Sequence, residues 1–419
     1  MALLAATFLL VDAAVAPNSV GQQVRADNTT VTASGTINTG TLGADLGHGL
    51  WALNGGVIES FTPLTITTGG VNTAGARATT AGQVTVSTGS SIHMTGTNGD
   101  GIVSSNPGSL VTATGTTVLT DLSGYGLIAG SGGARIVFND GSVTATTSTG
   151  AAAFAGILEL TNSSITTGPG IALRLEAGTA TLVDTDIDTT GASAYGVYLN
   201  NGSGLTMTGG TISTAAARGI MGVAGVNTVA LDGTTINATA SAAIEANGAA
   251  AVLNAQLTDV EITAPIALRA LAGTLNVAAS SSMLRGSAII GSGGTATLAL
   301  TDSSIWALTV NSTLTSLTNN GSLVDFAAPV GDPTALASFK TLTVTNYIGA
   351  GGRLGLNSYL NGDGSPSDRL VVNGGAATGT SGLVIKNAGG AGSLTSGNGM
   401  LVISAIGGGT TAPGAFTLA

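Results

Sequence analysis

Leu205-Thr-Met-Thr-Gly-Gly-Thr-Ile212 is answered further along the chain by Val229-Ala-Leu-Asp-Gly-Thr-Thr-Ile236. Each phrase runs from an apolar residue through a turn-forming patch to Thr or Ser, then Ile or Val. Further copies close at Val118, Val143, Ile165, Ile187, Ile262 and Ile305, and looser ones at Ile37 and Ile92. In the clear copies the closer falls five positions after a residue that alternation points inward: Ala113, Phe138, Leu160, Leu182, Met207, Leu231, Leu257 and Leu300. Ile66 and Leu284 are interpolated closers that keep the spacing within 21 to 29 positions. Self-similarity at such a period marks an array in which each unit packs only on its neighbours. Between closers lie second apolar phrases rich in Gly and Ala: Gly196-Val-Tyr-Leu199, Gly219-Ile-Met221 and Ala242-Ala-Ile244. Each repeat therefore holds two or three short strands separated by turns.

Short strands at this period predict an all-β fold, a single-stranded right-handed parallel β-helix of the pectin-lyase-like solenoid type. Roughly 15 coils should stack about 4.8 Å apart. Phe138, Leu160, Leu182, Met207, Leu231, Leu257 and Leu300 should face the core, with the closers Val143, Ile165, Ile187, Ile212, Ile236 and Ile305. Composition agrees. The chain has 66 Gly among 419 residues, 8% charged and 3% aromatic. That is too apolar for disorder and too poor in long side chains for helical surfaces. A leucine-rich-repeat pattern and the calcium-binding Gly-Gly-x-Gly-x-Asp nonapeptide are both missing.

The formal net charge is −10, with Lys340 and Lys386 the only lysines and nine scattered arginines. No basic footprint for a phosphate backbone is formed, so nucleic acid is not expected as a partner. The chain has no cysteine, hence no disulfide or thiolate metal site. Residues 1–16, MALLAATFLLVDAAVA, read either as a signal-peptide remnant, without a basic start and interrupted by Asp12, or as a first buried strand. Residues 17–305 carry the repeat, and from Trp306 the texture changes.

From there an ordered series of phrases runs to the end. Trp306 is followed by Ser312, Leu314, Leu317, Asn319 and Gly321, then by Gly352, Leu354, Leu356 and Asn357. Gly362, Asp363, Ser365, Ser367 and Asp368 come next, and Phe416 closes the series. Residues 306–419 thereby resemble the C-terminal passenger segment of pertactin-like bacterial autotransporters. The resemblance implies export through the periplasm to the cell surface, outer membrane or medium. It also implies a β-helical passenger whose last segment folds first and templates the rest, and a following outer-membrane β-barrel that this sequence does not include. Trp306, Phe326, Phe339 and Phe416 supply this segment with larger apolar side chains than the coils upstream, so stability should be stored here.

Residues for catalysis are sparse. His48 and His93 are the only histidines and read as surface or turn positions. Gly362-Asp-Gly-Ser365 has the wrong order for a serine-protease phrase. Asp184, Asp186 and Asp188 alternate and would share one face of a strand, where they could hold a cation; solvated turn carboxylates are the other reading. Arg218-Gly-Ile lacks the Asp of an integrin-binding tripeptide. No catalytic, cofactor or metal site is therefore expected. The reading is a surface passenger that binds a host or neighbouring-cell surface, protein or glycan, or associates with itself. The competing readings are a polysaccharide lyase or hydrolase, which needs clustered carboxylates or carboxylate-bound calcium, and a passive stalk.

Overall fold

The computed structural model describes residues 14–16, 19–20, 22–192 and 194–419. They are all-β, and the strands build a parallel β-solenoid. Two compact units are formed, residues 1–166 and 167–419. A coil is three short strands and three corners; Tyr195–Asn200, Gly204–Thr208 and Thr211–Thr214 make one such coil. Strands in equivalent places of successive coils pair in parallel, giving each unit a first, a second and a third sheet. The isolated bridge between Ser358 and Ser367 runs antiparallel. Of the leader-like run 1–16, residues 1–13 lie outside the described residues. The backbone of Ala14–Ala16 pairs with Val31–Ala33.

Parallel register turns the repeat into ladders of like side chains. In the first unit the third sheet stacks Ile37, Ile66, Ile92, Val118 and Val143 in direct register. In the second unit Ile187, Ile212, Ile236, Ile262 and Leu284 do the same. That ladder continues through Trp306, Val324, Leu354 and Leu383 without a break where the sequence texture changes. The second sheet adds Val86, Ala113, Phe138 and Leu160 in the first unit. In the second unit it adds Leu182, Met207, Leu231, Leu257, Ala279 and Leu300. These side chains are essentially buried, each burial stabilising by about 1.5–3 kcal/mol for a Leu- or Ile-sized group. Both interpolated closers, Ile66 and Leu284, are fully buried.

Ile305 departs from the expected register. It is half-exposed, and Trp306 is fully buried in its place. Ser280 and Thr301 are register partners, as are Met283 and Ile305, so the later corner is one residue longer than the earlier one. Asp302 and Ser303 in that corner both take positive φ, 53° and 63°. In a strand one extra residue moves the next side chain to the other face. The indole fills the space, and its Nε1–H donates to the Gly286 carbonyl at 2.9 Å.

Candidate functional site

The corner leading into the first sheet decides what its outer surface carries. A Cβ on Gly75 would sit 2.1 Å from Ile92 Cγ2, and one on Gly101 2.2 Å from Val118 Cγ1. Gly49, Gly126, Gly196 and Gly219 are similarly pressed on closers. The phrase after each glycine then alternates: the next residue faces the core and the one after it faces out. In the first unit this outward row begins Arg25, Trp51, Arg77 in direct register. In the second unit the same register positions hold Arg174, Tyr198, Met221, Glu245 and Arg269, with Ala in place of the glycine at three of them and with Met221 and Glu245 covered by their neighbours.

In the second unit these side chains form one connected cluster. The Arg174 guanidinium lies 5.7 Å from the Tyr198 ring centre, and Arg218 lies 5.6 Å from that of Tyr195. The two rings are 6.0 Å apart. Such cation–π contacts contribute about 0.5–1 kcal/mol at exposed sites. Arg174 Nε donates to Glu176 Oε1 at 2.7 Å. Glu245 is fully buried, and its Oε2 accepts from Arg218 Nε at 3.2 Å and from Arg269 Nε at 2.7 Å. Its Oε1 has no hydrogen-bond partner. Burial, and then the Glu176 charge, push the Tyr198 phenol above its ordinary pKa.

In the first unit Trp51 is the centre. Arg25 stands 4.9 Å and Arg77 6.0 Å from its ring, and its indole N–H donates to Thr79 Oγ1 at 3.2 Å. The His48 ring meets it edge-on at 5.1 Å. His48 is not a surface histidine: it is 1% exposed, its Nδ1 accepting from the Ala74 N–H at 2.9 Å. The glycines on either side leave no room for a side chain: a Cβ on Gly47 would stand 2.0 Å from the Leu42 carbonyl oxygen and one on Gly49 2.4 Å from Ile66 Cγ2. Burial, and then the Arg77 charge, lower its pKa to about 4, so the ring is neutral. Asp100, in the coil after Arg77, accepts from the Tyr125 N–H at 2.9 Å, and burial raises its pKa to about 6.

The remaining chemistry-bearing residues stay apart. His93 lies on the third sheet, its Nε2 2.8 Å from Asp121 Oδ2, both side chains well exposed. Asp186 and Asp188 do share the outer face of their strand, but Asp184 does not join them. It occupies the preceding corner with φ of 46°, where an Asp tolerates the left-handed conformation. Among the described residues no group of three or more acidic or imidazole side chains is placed to hold a metal ion. None of the described helical turns is long and apolar enough to cross a membrane.

The C-terminal phrases supply the polar interior of the last coils. Leu314, Leu317, Leu354 and Leu356 are core residues. Asn319 is fully buried; its Nδ2 reaches the Arg353 carbonyl at 3.1 Å and the Tyr347 hydroxyl at 3.4 Å. Tyr347 bonds Ser381 Oγ at 2.7 Å and packs 5.5 Å from the half-buried ring of Phe416. The buried Asp368 carboxylate accepts the N–H groups of Lys340 and Asn357, at 2.7 and 2.8 Å. Asn357 Nδ2 donates to it as well, at 2.6 Å, and to the Phe326 carbonyl at 2.9 Å. Ser312 Oγ accepts the Ala288 N–H, and Ser367 Oγ donates to the Leu401 carbonyl. Ser365 is nearly buried, and Gly321 and Gly362 hold positive-φ turns. Asp363 gathers the N–H groups of Ser396, Gly397 and Gly399, which hold its pKa below the usual carboxylate range. Sequence reasoning missed Tyr347 and the two lysines here. Lys340 Nζ donates to the Ala327 and Ala328 carbonyls, and Lys386 Nζ to Asp325 and the Phe326 carbonyl.

Residues 312–419 match the family model described as Autochaperone Domain Type 1. No curated protein matches the chain. An autochaperone match on a β-solenoid fits the passenger of an autotransporter, a secreted and surface-exposed protein.

Proposed function

We propose that the chain works as an adhesin-type passenger, engaging a host or neighbouring-cell surface by binding and without catalysis. The observation that supports this is the outer row of the first sheet. In each unit it collects arginine and half-buried aromatic side chains on consecutive coils, from a chain with only nine arginines and 3% aromatics. Rigid aromatic rings and planar guanidiniums carry much of the energy at recognition surfaces. The carboxylates of the second-unit cluster do not favour glycoside hydrolysis: Glu176 and Glu245 are three coils apart, about 14 Å at the inter-coil spacing of a parallel sheet. A hydrolytic pair needs separations of roughly 5–9.5 Å.

The test is to present the purified chain to cultured cells and to a broad glycan array, and to assay the same glycans for new reducing ends or unsaturated sugars. Saturable binding without turnover is expected. Release of sugar ends on any of them would replace the binding reading with the enzymatic one.

A further inference from the structure

We infer that the outer row of the second unit binds an acidic glycan whose anionic groups recur once per disaccharide, lying along the stacking direction. The inference rests on the binding reading above and names its ligand class.

The cations on this row are spaced by the fold. Arg174, Arg218 and Arg269 come from the first, third and fifth of five consecutive coils, joined in register by the strand pairings. Alternate coils of a parallel solenoid are about 10 Å apart. Arg218 starts at a different strand position from the other two. Its Nε nevertheless reaches Glu245, one coil on, within 3.2 Å, which brings its guanidinium onto the row. Tyr195 and Tyr198 fill the second coil and Glu245 the fourth. The pattern along the axis is cation, aromatic, cation, carboxylate, cation.

Charge decides the ligand. Three guanidiniums meet two carboxylates, Glu176 and Glu245, on a chain whose net charge is −10. Glu245 holds two guanidiniums through a single oxygen, and its other oxygen has no partner although the side chain is fully buried. That oxygen is enclosed, so the groups a ligand meets are the partly exposed guanidinium N–H groups, and a sugar hydroxyl, donor and acceptor at once, can accept from them. A carboxylate on alternate sugars would meet the guanidiniums at their own interval, in the planar geometry that favours arginine. Duplex nucleic acid carries a charge per about 1.7 Å, far denser than the cation spacing of this row.

The test uses the full chain against four immobilised polymers: hyaluronan, polygalacturonate, dextran and duplex DNA. Hyaluronan, with one carboxylate per disaccharide, should bind best, and its binding should fade as salt rises from 50 to 500 mM. Arg174→Gln and Tyr198→Ala should each weaken it by about tenfold, one step of 1.4 kcal/mol. The double variant Glu245→Gln/Arg269→Gln removes a charge pair together and should weaken it similarly. If the double variant fails to fold, the half-exposed Arg174 carries the test. Equal binding of polygalacturonate or DNA, or wild-type affinity in Arg174→Gln, would overturn the inference. Binding to cells or to dextran with none to hyaluronan overturns it while leaving the adhesin reading in place; no binding to any surface removes both.

Discussion

Leu300 and Asn319 are register partners in adjacent coils. The ladder Leu182–Met207–Leu231–Leu257–Ala279–Leu300 thus ends on a fully buried amide. From that coil onward the interior is partly polar, and Asn319 reaches forward to the Tyr347 hydroxyl and the Arg353 carbonyl, as Tyr347 does to Ser381. Asn319→Ala should therefore cost about 1–3 kcal/mol, the penalty for leaving buried partners unbonded. Urea unfolding followed by far-ultraviolet circular dichroism would measure it. An unchanged midpoint would show that Tyr347 and the Arg353 carbonyl find other partners.

Gly352 is matched to the same amide. A Cβ there would stand 2.2 Å from Asn319 Cγ and Oδ1. Gly352→Ala should destabilise by about 1–3 kcal/mol through overpacking. Combined with Asn319→Ala it should cost less than the sum of the two, because the second change removes the clash. Strict additivity in a double-mutant cycle would rule the steric account out.

The displaced register at the long corner gives a paired test. Trp306→Ala should cost about 3–5 kcal/mol and Ile305→Ala far less, since only the former leaves a core cavity. Thermal unfolding of the two variants side by side reads the difference directly.

Much of the interior was legible because a period-2 alternation inside a repeat specifies which residues can share a ladder. Phe138, Met207 and Leu257 are placed by that rule alone. Ile305 was not, because one additional corner residue leaves the local pattern of apolar and polar letters unchanged while inverting the strand. The arginine–tyrosine row was legible only in its frame. The phrases Gly196-Val-Tyr and Gly219-Ile-Met are visible, but outward positions carry no constraint from packing. Arg218 and Arg269 reveal their common target, Glu245, only when the coils are stacked.

Two groups of the first unit titrate against each other. His48 has its pKa lowered to about 4, so it stabilises the fold above its ordinary 6.5 and that contribution is lost as pH falls through 4. Asp100 has its pKa raised to about 6, so its contribution is full below 3.8 and is lost as pH rises through 6. Between pH 6 and 4 the two oppose. Asp100→Asn removes one of them, so the variant should lose more stability than the parent when moved from pH 7 to pH 4. Melting temperatures at both pH values give the comparison, and equal shifts for parent and variant would refute it.

Limited proteolysis in intermediate denaturant should leave a fragment that begins near residue 306. The buried Trp306, Phe326 and Tyr347 and the Asp368 network lie there. Mass mapping of the survivor decides the matter; a resistant fragment from the N-terminal half would exclude this segment as the most stable one.

Both lysines belong to the last coils, where they hold carbonyls of Phe326, Ala327 and Ala328. Lys340 is almost enclosed, whereas the Lys386 side chain is 35% exposed. Acylation of side-chain ammonium groups is consequently regioselective: it falls at the Lys386 end, and the upstream coils carry no lysine. A resin or sensor surface coupled through that amine would hold the molecules in one orientation, with the arginine row free of the attachment.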